Sequence, residues 1–304
     1  MKSKTPIKIF RFLAIFLIIT GMTFSNASYY LMSILVNSYI STRGIVDKMW
    51  LVQKDDDSEV VDKYTTLRDL PEKLRIHEAQ AAVGFVGSTS AAGNNGADAT
   101  LTLSGLGLQQ DDLVIVSYSI SDADNVDFNM ALVGATGWTE SADLFSNDTY
   151  DANLGVYYKV MGSSPDSSVI VDGLGGVDTQ TVAVAMAFRG VDIATPMDVT
   201  PTTVTGLNTM HPNPPSINHN NPSGVWTVIA GSNATKRGIR TFTFPTGYTT
   251  NAVQRSASDT SGGIVGLGYR TAPSDPEDPG VMTGSGTNST SFAWAAVTMA
   301  LRPA

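Results

Sequence analysis

Two stretches decide the fold, TVAVAMAFRG (residues 181–190) and AAVTMALRPA (residues 295–304). In the first, Val182, Val184, Met186 and Phe188 alternate with alanine, so an extended strand puts all four on one face. In the second, Val297, Met299 and Leu301 repeat that spacing. Large apolar side chains at period two mark the core faces of two strands. Arg189 and Arg302 close the two runs, where a cation can leave the sheet and meet solvent or a carboxylate.

The correspondence extends outward from these stretches. Leu113–Val116 aligns with Val225–Val228 at an offset of 112, and Gly137-Trp138-Thr139 aligns with Gly247-Tyr248-Thr249 at 110. Tyr158-Lys159 aligns with Tyr269-Arg270 at 111, and the two deciding stretches align at 113. Four matches in one order at nearly constant spacing constitute an internal duplication. Trp138 and Tyr248 each follow a glycine where a turn begins, as do rings that close the end of a β-sandwich.

The remaining strand candidates fall into the same two sets. ATLTLSGL, DDLVIVSYSI, FNMALVG, LGVYYKVM and SSVIVDG precede the first deciding stretch; GVWTVIAGS, IRTFTFPTG and GGIVGLGYRT precede the second. Gly, Asp, Asn, Ser or Pro clusters bound each of them. None sustains a 3.6-residue period over ten residues. With the two deciding stretches, these ten candidates give about four or five strands per half on average, too few to cover both faces of a sheet. The expected class is all-β. The expected fold is a single β-sandwich of jelly-roll type over residues 97–304, with nine or ten strands. Its halves, about 97–200 and 212–304, would be related by a pseudo-two-fold. Two small sandwiches joined by the Pro/Asn-rich stretch Pro201–Pro222 are the alternative; in either case that stretch reads as a surface crossover.

Upstream, Lys2, Lys4, Lys8 and Arg11 precede an apolar run from Phe12 to Met22, and small residues stand at Ser25 and Ala27. A basic region, a short apolar region and a small-x-small site spell a signal peptide over 1–27. The alternatives are a membrane anchor within 12–40 and a start at Met22 or Met32. Cleavage after Ala27 would take the net charge from −9 to −13. Residues 28–83 read as an N-terminal arm with short charged helices. Residues 84–96, GFVGSTSAAGNNG, read as a Gly/Ser-rich hinge.

Composition narrows the functions. Nineteen Lys+Arg against 28 Asp+Glu disfavours binding to a phosphate backbone, and the absence of cysteine removes disulfides and thiolate chemistry. Of the three histidines, His77 lies in the charged segment and His211 and His219 in the Pro/Asn-rich stretch. No serine stands in a nucleophile elbow, and His211 and His219, which could ligate a metal only with partners not apparent nearby, read as solvated loop residues. Asp122 and Asp124 stand two apart, the spacing a glycosidase pair on one strand would need, but their segment through Asp127 reads as a plain acidic turn. A Ca²⁺ site in that turn is the alternative to no cofactor at all. Asp143, Asp148 and Asp151 form a second acidic loop with the same two readings. Asp275-Pro276-Glu277-Asp278-Pro279 reads as a rigid exposed turn. Tyr150, Tyr157, Tyr158, Trp226, Tyr269 and Trp294 are the rings on which a glycan could stack; one of Tyr157 and Tyr158 should point outward, and most of the rest read as core. No catalytic, cofactor-binding or metal residue emerges from this reading.

A strand carrying DDLVIV, then GWT, GVYYKV, VAVAMAFRGVD and a closing ALRPA together resemble a β-sandwich module. That module is found in tail and other virion-surface proteins of bacterial viruses and in some secreted bacterial proteins. The resemblance covers about 97–304. It implies a non-enzymatic structural or attachment role at a virion or cell surface, in company with other surface proteins, surface glycans and further copies of itself. Two alternatives stand beside it: a subunit of a self-assembling layer or filament with residues 28–80 as its assembly arm, and a carbohydrate-active enzyme of sandwich fold.

Overall fold

The computed structural model describes residues 82–122, 126–148, 150–176, 179–221, 223–235, 239–256, 262–286 and 293–304. The expected signal peptide or anchor, the arm as far as residue 81, His77 and Asp124 lie outside the described residues. The described part belongs to one compact unit, Gln80–Ala304.

Fifteen strands are found among the described residues. They are β1 (Gly84–Asn94), β2 (Ala99–Thr102), β3 (Leu113–Asp122), β4 (Leu132–Val133), β5 (Thr139–Ser146), β6 (Asp151–Val160), β7 (Ser168–Val171) and β8 (Gln180–Arg189). The second set is β9 (Thr202–Leu207), β10 (Trp226–Thr235), β11 (Ile239–Thr243), β12 (Thr249–Arg255), β13 (Gly262–Thr271), β14 (Thr283–Gly286) and β15 (Ala293–Leu301). The class is all-β with antiparallel sheets.

Two five-stranded sheets run β1-β8-β3-β6-β5 and β12-β13-β10-β15-β9; two smaller ones run β2-β7-β4 and β11-β14. If each strand of the first large sheet is replaced by its counterpart one repeat later, the order becomes β9-β15-β10-β13-β12. That is the second large sheet read backwards. The pair β7-β4 likewise maps onto β14-β11.

Alternation explains what each sheet buries. Leu113, Ile115, Leu154, Val156, Val182, Val184, Met186 and Phe188 of the first large sheet share one apolar cluster with Val228, Ala230, Val265, Leu267, Ala295, Val297, Met299 and Leu301 of the second. Each such burial is worth roughly 1.5–3 kcal/mol for the larger side chains. The face predicted from Val182, Val184, Met186 and Phe188, and from Val297, Met299 and Leu301, is therefore the core. Rings fill one end of this layer: Tyr269 stacks on Phe85 and on Trp226, at 5.1 Å between centroids in both cases. Farther along β3 and β10 the same face carries Ser117, Ser119, Ser121 and Ser232, all buried.

The opposite faces are covered as well. Val114, Val116, Tyr118, Ala183 and Ala185 pack with Leu101, Val169 and Val171 of the first small sheet. Ile229 and Ile264 pack with Phe242, Phe244 and Met282. Gly155 and Gly266, 111 residues apart, make these outer layers fit. A Cβ on Gly155 would stand 2.6 Å from the Tyr118 ring, and one on Gly266 would stand 3.0 Å from Phe244.

The structure corrects the expected boundaries. Residues 84–96 are not a hinge: Gly84–Asn94 is β1, paired with β8 from Gly84↔Arg189 to Asn94↔Gln180. Small uncharged residues are what a linker uses, but also what an edge strand close to a second sheet uses. Ladder hydrogen bonds decide between the two. Pro201–Pro222 is not simply a crossover, since Thr202–Leu207 is β9, paired with β15. Beyond it, Pro212, Pro214 and Ile217 are buried, and the Thr298 hydroxyl donates to the Pro215 carbonyl at 2.6 Å. This segment covers the outer face of the second large sheet. The repeats thus begin with β1 and β9, not at residues 97 and 212.

Candidate functional site

The densest polar cluster among the described residues lies where β13 turns toward β14. Glu277 has a fully buried side chain. Arg270 donates to its Oε1 at 3.1 Å, Tyr248 O–H to the same oxygen at 2.9 Å, and Ser274 to its Oε2 through both hydroxyl (2.7 Å) and backbone N–H (2.9 Å). Burial alone would raise the Glu277 pKa. The Ser274 and Tyr248 hydrogen bonds and the Arg270 charge outweigh it and hold the carboxyl below its usual range. Tyr248 is pushed up, first by burial and then by its bond to Glu277.

The first repeat carries the same clasp in different residues. Lys159 Nζ lies 2.8 Å from Asp166 Oδ2, the Trp138 indole N–H donates to that oxygen at 3.2 Å, and Lys159 also donates to the Thr136 carbonyl. Trp138/Lys159/Asp166 and Tyr248/Arg270/Glu277 correspond at offsets of 110 and 111. In each repeat a ring at the start of a turn, a cation on a strand and a carboxylate in the following loop are tied together.

Beside the second clasp, Thr227, His219 and Asp275 fall in line. Thr227 Oγ1 lies 3.4 Å from His219 Nε2, and His219 Nδ1 lies 3.8 Å from Asp275 Oδ1. The residue types suit a nucleophile, its base and an orienting acid. Thr227, however, is fully buried, and the histidine–aspartate separation exceeds a hydrogen bond. What Asp275 does accept is the backbone N–H of His219, at 3.1 Å. These groups fasten a loop, and the buried Thr227 and His219 offer no face to a substrate.

A second polar group lies on β5 and β6. The Tyr157 hydroxyl donates to the Met130 carbonyl and lies 2.9 Å from Glu140 Oε2. Asp143 Oδ2 accepts the Met130 N–H at 3.3 Å. Burial, together with the charges of Glu140 and Asp127, pushes Asp143 up against the Met130 bond that lowers it. Tyr118 and Tyr157 are raised by burial and by neighbouring acids. An open depression of about 450 Å³ lies elsewhere, lined by Gln110, Asp111, Arg189, Val191, Asp192 and Ile193 among others. Its one cation, Arg189, is already held by Asp112 at 2.7 and 2.8 Å.

Several expected positions differ in the structure. His219 is not solvated, its ring being buried, and His211 is part-buried, its Nδ1 accepting the Gly284 N–H at 3.1 Å. Asp275–Pro279 is not wholly exposed, because the loop exists to present Glu277 inward. Asp143 and Asp151 sit in strands, and Asp151 is buried. Asp122 ends β3. Neither Tyr157 nor Tyr158 points to solvent as expected of one of them; Tyr157 packs in the outer layer and Tyr158 against the inner one, both faces being covered. The other rings follow the core reading: Trp226 and Tyr269 line the inner layer, Trp294 is buried, and Tyr150 packs beside Ala152. Among the described residues no group of three acids or histidines could hold a metal ion. Sequence reasoning missed Asp112, Asp166, Glu140 and the buried Asp198, which accepts the Asn220 N–H at 2.6 Å and lies 3.4 Å from Arg302 Nε. The shared seven-residue spacing of Lys159–Asp166 and Arg270–Glu277 was the signal that could have found Asp166. Comparison with protein-family models, with curated proteins and with solved structures gave no match to this chain.

Proposed function

We propose that this chain is a non-enzymatic structural or attachment module of a virion or cell surface, built as a duplicated jelly-roll sandwich. The sheet orders support the architecture. In β1-β8-β3-β6-β5 against β2-β7-β4, successive strands alternate between two layers as in a jelly roll, except that β5 and β6 share the large sheet; the second repeat has the same order without a counterpart of β2. The two units are joined through their large sheets.

The observation that carries the functional reading is the doubled clasp. In both repeats the side chains best equipped for chemistry hold a loop to the end of a sheet, so the feature the copies share serves rigidity. Rigid, acidic, cysteine-free modules suit exposed particles and envelopes, where loops and edges make the contacts.

The test has two parts. Intact cells or particles bearing the full chain are treated with protease, and purified full chain is mixed with insoluble envelope polysaccharide from the same source. The expected result is loss of the chain to external protease and sedimentation with polysaccharide or particle, without release of reducing ends. Protection from protease would overturn the surface reading. Release of reducing ends would replace it with a carbohydrate-active enzyme.

A further inference from the structure

We propose that the outer edge of β9 pairs with β9 of a second copy of this chain, giving a two-fold dimer with one continuous ten-stranded sheet. The large sheets have four edges: β1, β5, β9 and β12. An exposed edge presents unpaired backbone groups, and proteins blunt it with charge, proline or bulges. Strand β5 carries Glu140 and Asp143 and is bulged between Glu140 and Ala142; β12 is bulged between Thr250 and Ala252 and ends in Arg255. Strand β1 is bulged between Phe85 and Gly87, and Ser88 on it already has a partner.

Strand β9 has none of these defences. Its sequence is TTVTGL, uncharged and free of proline, and it runs against β15 in unbroken register from Thr202↔Thr298 to Leu207↔Ala293. Thr203, Thr205 and Leu207 are exposed, Leu207 at 46%. From outside its sheet β5 packs against β9, and the Ser146 hydroxyl donates to the Gly206 carbonyl at 2.9 Å, a bond that the pairing strand replaces. A six-residue, β-branched, charge-free edge is a template for strand pairing.

The occupant follows from charge and self-complementarity. Copies of a chain with net charge −9 repel one another over most of their surface, so they meet best along an uncharged line. Antiparallel pairing about a two-fold at Thr205 sets Thr205 opposite its own copy, Thr203 opposite Leu207, and Val204 opposite Gly206. Threonine pairs and β-branched pairs are favourable across strands, and no like charges are opposed. The closed two-fold uses up both edges, so assembly stops at two.

Sedimentation equilibrium on the full chain tests this, with Thr205→Lys and, as control, Thr100→Lys on the exposed surface of β2. The expected result is a dimer for the wild type and T100K, and a folded protein with at least a tenfold weaker association for T205K, because two lysines face each other at the axis. Circular dichroism establishes that T205K keeps its strands. A monomeric wild type, an assembly larger than two, or a dimer indifferent to T205K overturns the proposal.

Discussion

Arg270 Nη1 lies 3.1 Å from Glu277 Oε1, and 111 residues earlier Lys159 and Asp166 stand in the same relation at 2.8 Å. The two pairs differ in one respect that sets their energies. The Glu277 side chain is fully buried while that of Asp166 is 29% exposed. A buried carboxylate depends on its donors; a half-solvated one can fall back on water.

Glu277→Gln is therefore expected to cost about 2–4 kcal/mol in urea unfolding at pH 7, and Asp166→Asn about 1 kcal/mol or less. Glu277 is held below its ordinary value of 4.5. Its ionised form contributes stability that is complete above that value and lost as pH falls through the lower folded value. The gap between wild type and E277Q should accordingly close in acid. A gap that stays constant down to the acid transition would mean that Glu277 acts through shape and not charge.

Asp143 has the opposite sign. Burial, reinforced by Glu140 and Asp127, raises it above the ordinary 3.8. Its contribution is present below 3.8 and lost as pH rises through the folded value. Asp143→Asn keeps an acceptor for the Met130 N–H and removes the penalised charge. Thermal unfolding at pH 7 should show D143N more stable by up to about 1 kcal/mol, with no difference near pH 3. A less stable D143N at neutral pH would refute this assignment.

The central strands were legible because their side chains alternate large and small at period two, as Val182 to Phe188 do. Strands β1 and β9 were not. GFVGSTSAAGN and TTVTGL have the composition of linkers, and what makes them strands is backbone pairing to β8 and β15, which no side-chain pattern announces. Glu277 was misread for a related reason. Prolines on both sides and acidic neighbours mark a solvated turn, whereas its burial follows from Arg270 seven residues earlier. The duplication was traced through apolar, aromatic and basic matches; following the acids as well would have paired Asp166 with Glu277.

Gly155 and Gly266 occupy equivalent sites beneath the outer-layer rings, so adding one methyl there tests the layered packing. Gly155→Ala must displace Tyr118, whose ring atom would stand 2.6 Å from the new Cβ and whose hydroxyl donates to the Ala131 carbonyl. The expected loss is about 1–3 kcal/mol, and Gly266→Ala should follow in the same direction. Gly162→Ala, with nothing within 4 Å of its Cβ, should be neutral or stabilising by up to about 1 kcal/mol. Equal effects at Gly155 and Gly162, measured by the same denaturant titration, would contradict the packing of Tyr118 onto β6.

Asp112 and Arg189 form the most asymmetric pair. The Asp112 side chain is fully buried and that of Arg189 is 46% exposed. The carboxylate takes two bonds from Arg189 and one from the Gln109 N–H at 2.7 Å. Removing the arginine strands a buried charge with a single backbone donor, whereas removing the charge leaves an arginine that water can solvate. Arg189→Met should thus cost about 3 kcal/mol and Asp112→Asn about 1–2 kcal/mol. In R189M/D112N the amide no longer needs a counter-charge, so the double variant should be at least as stable as R189M alone. A double-mutant cycle by urea unfolding measures this coupling. Strictly additive costs would mean that water reaches Asp112 once Arg189 is gone, and that the pair closes this end of the sheet by packing alone.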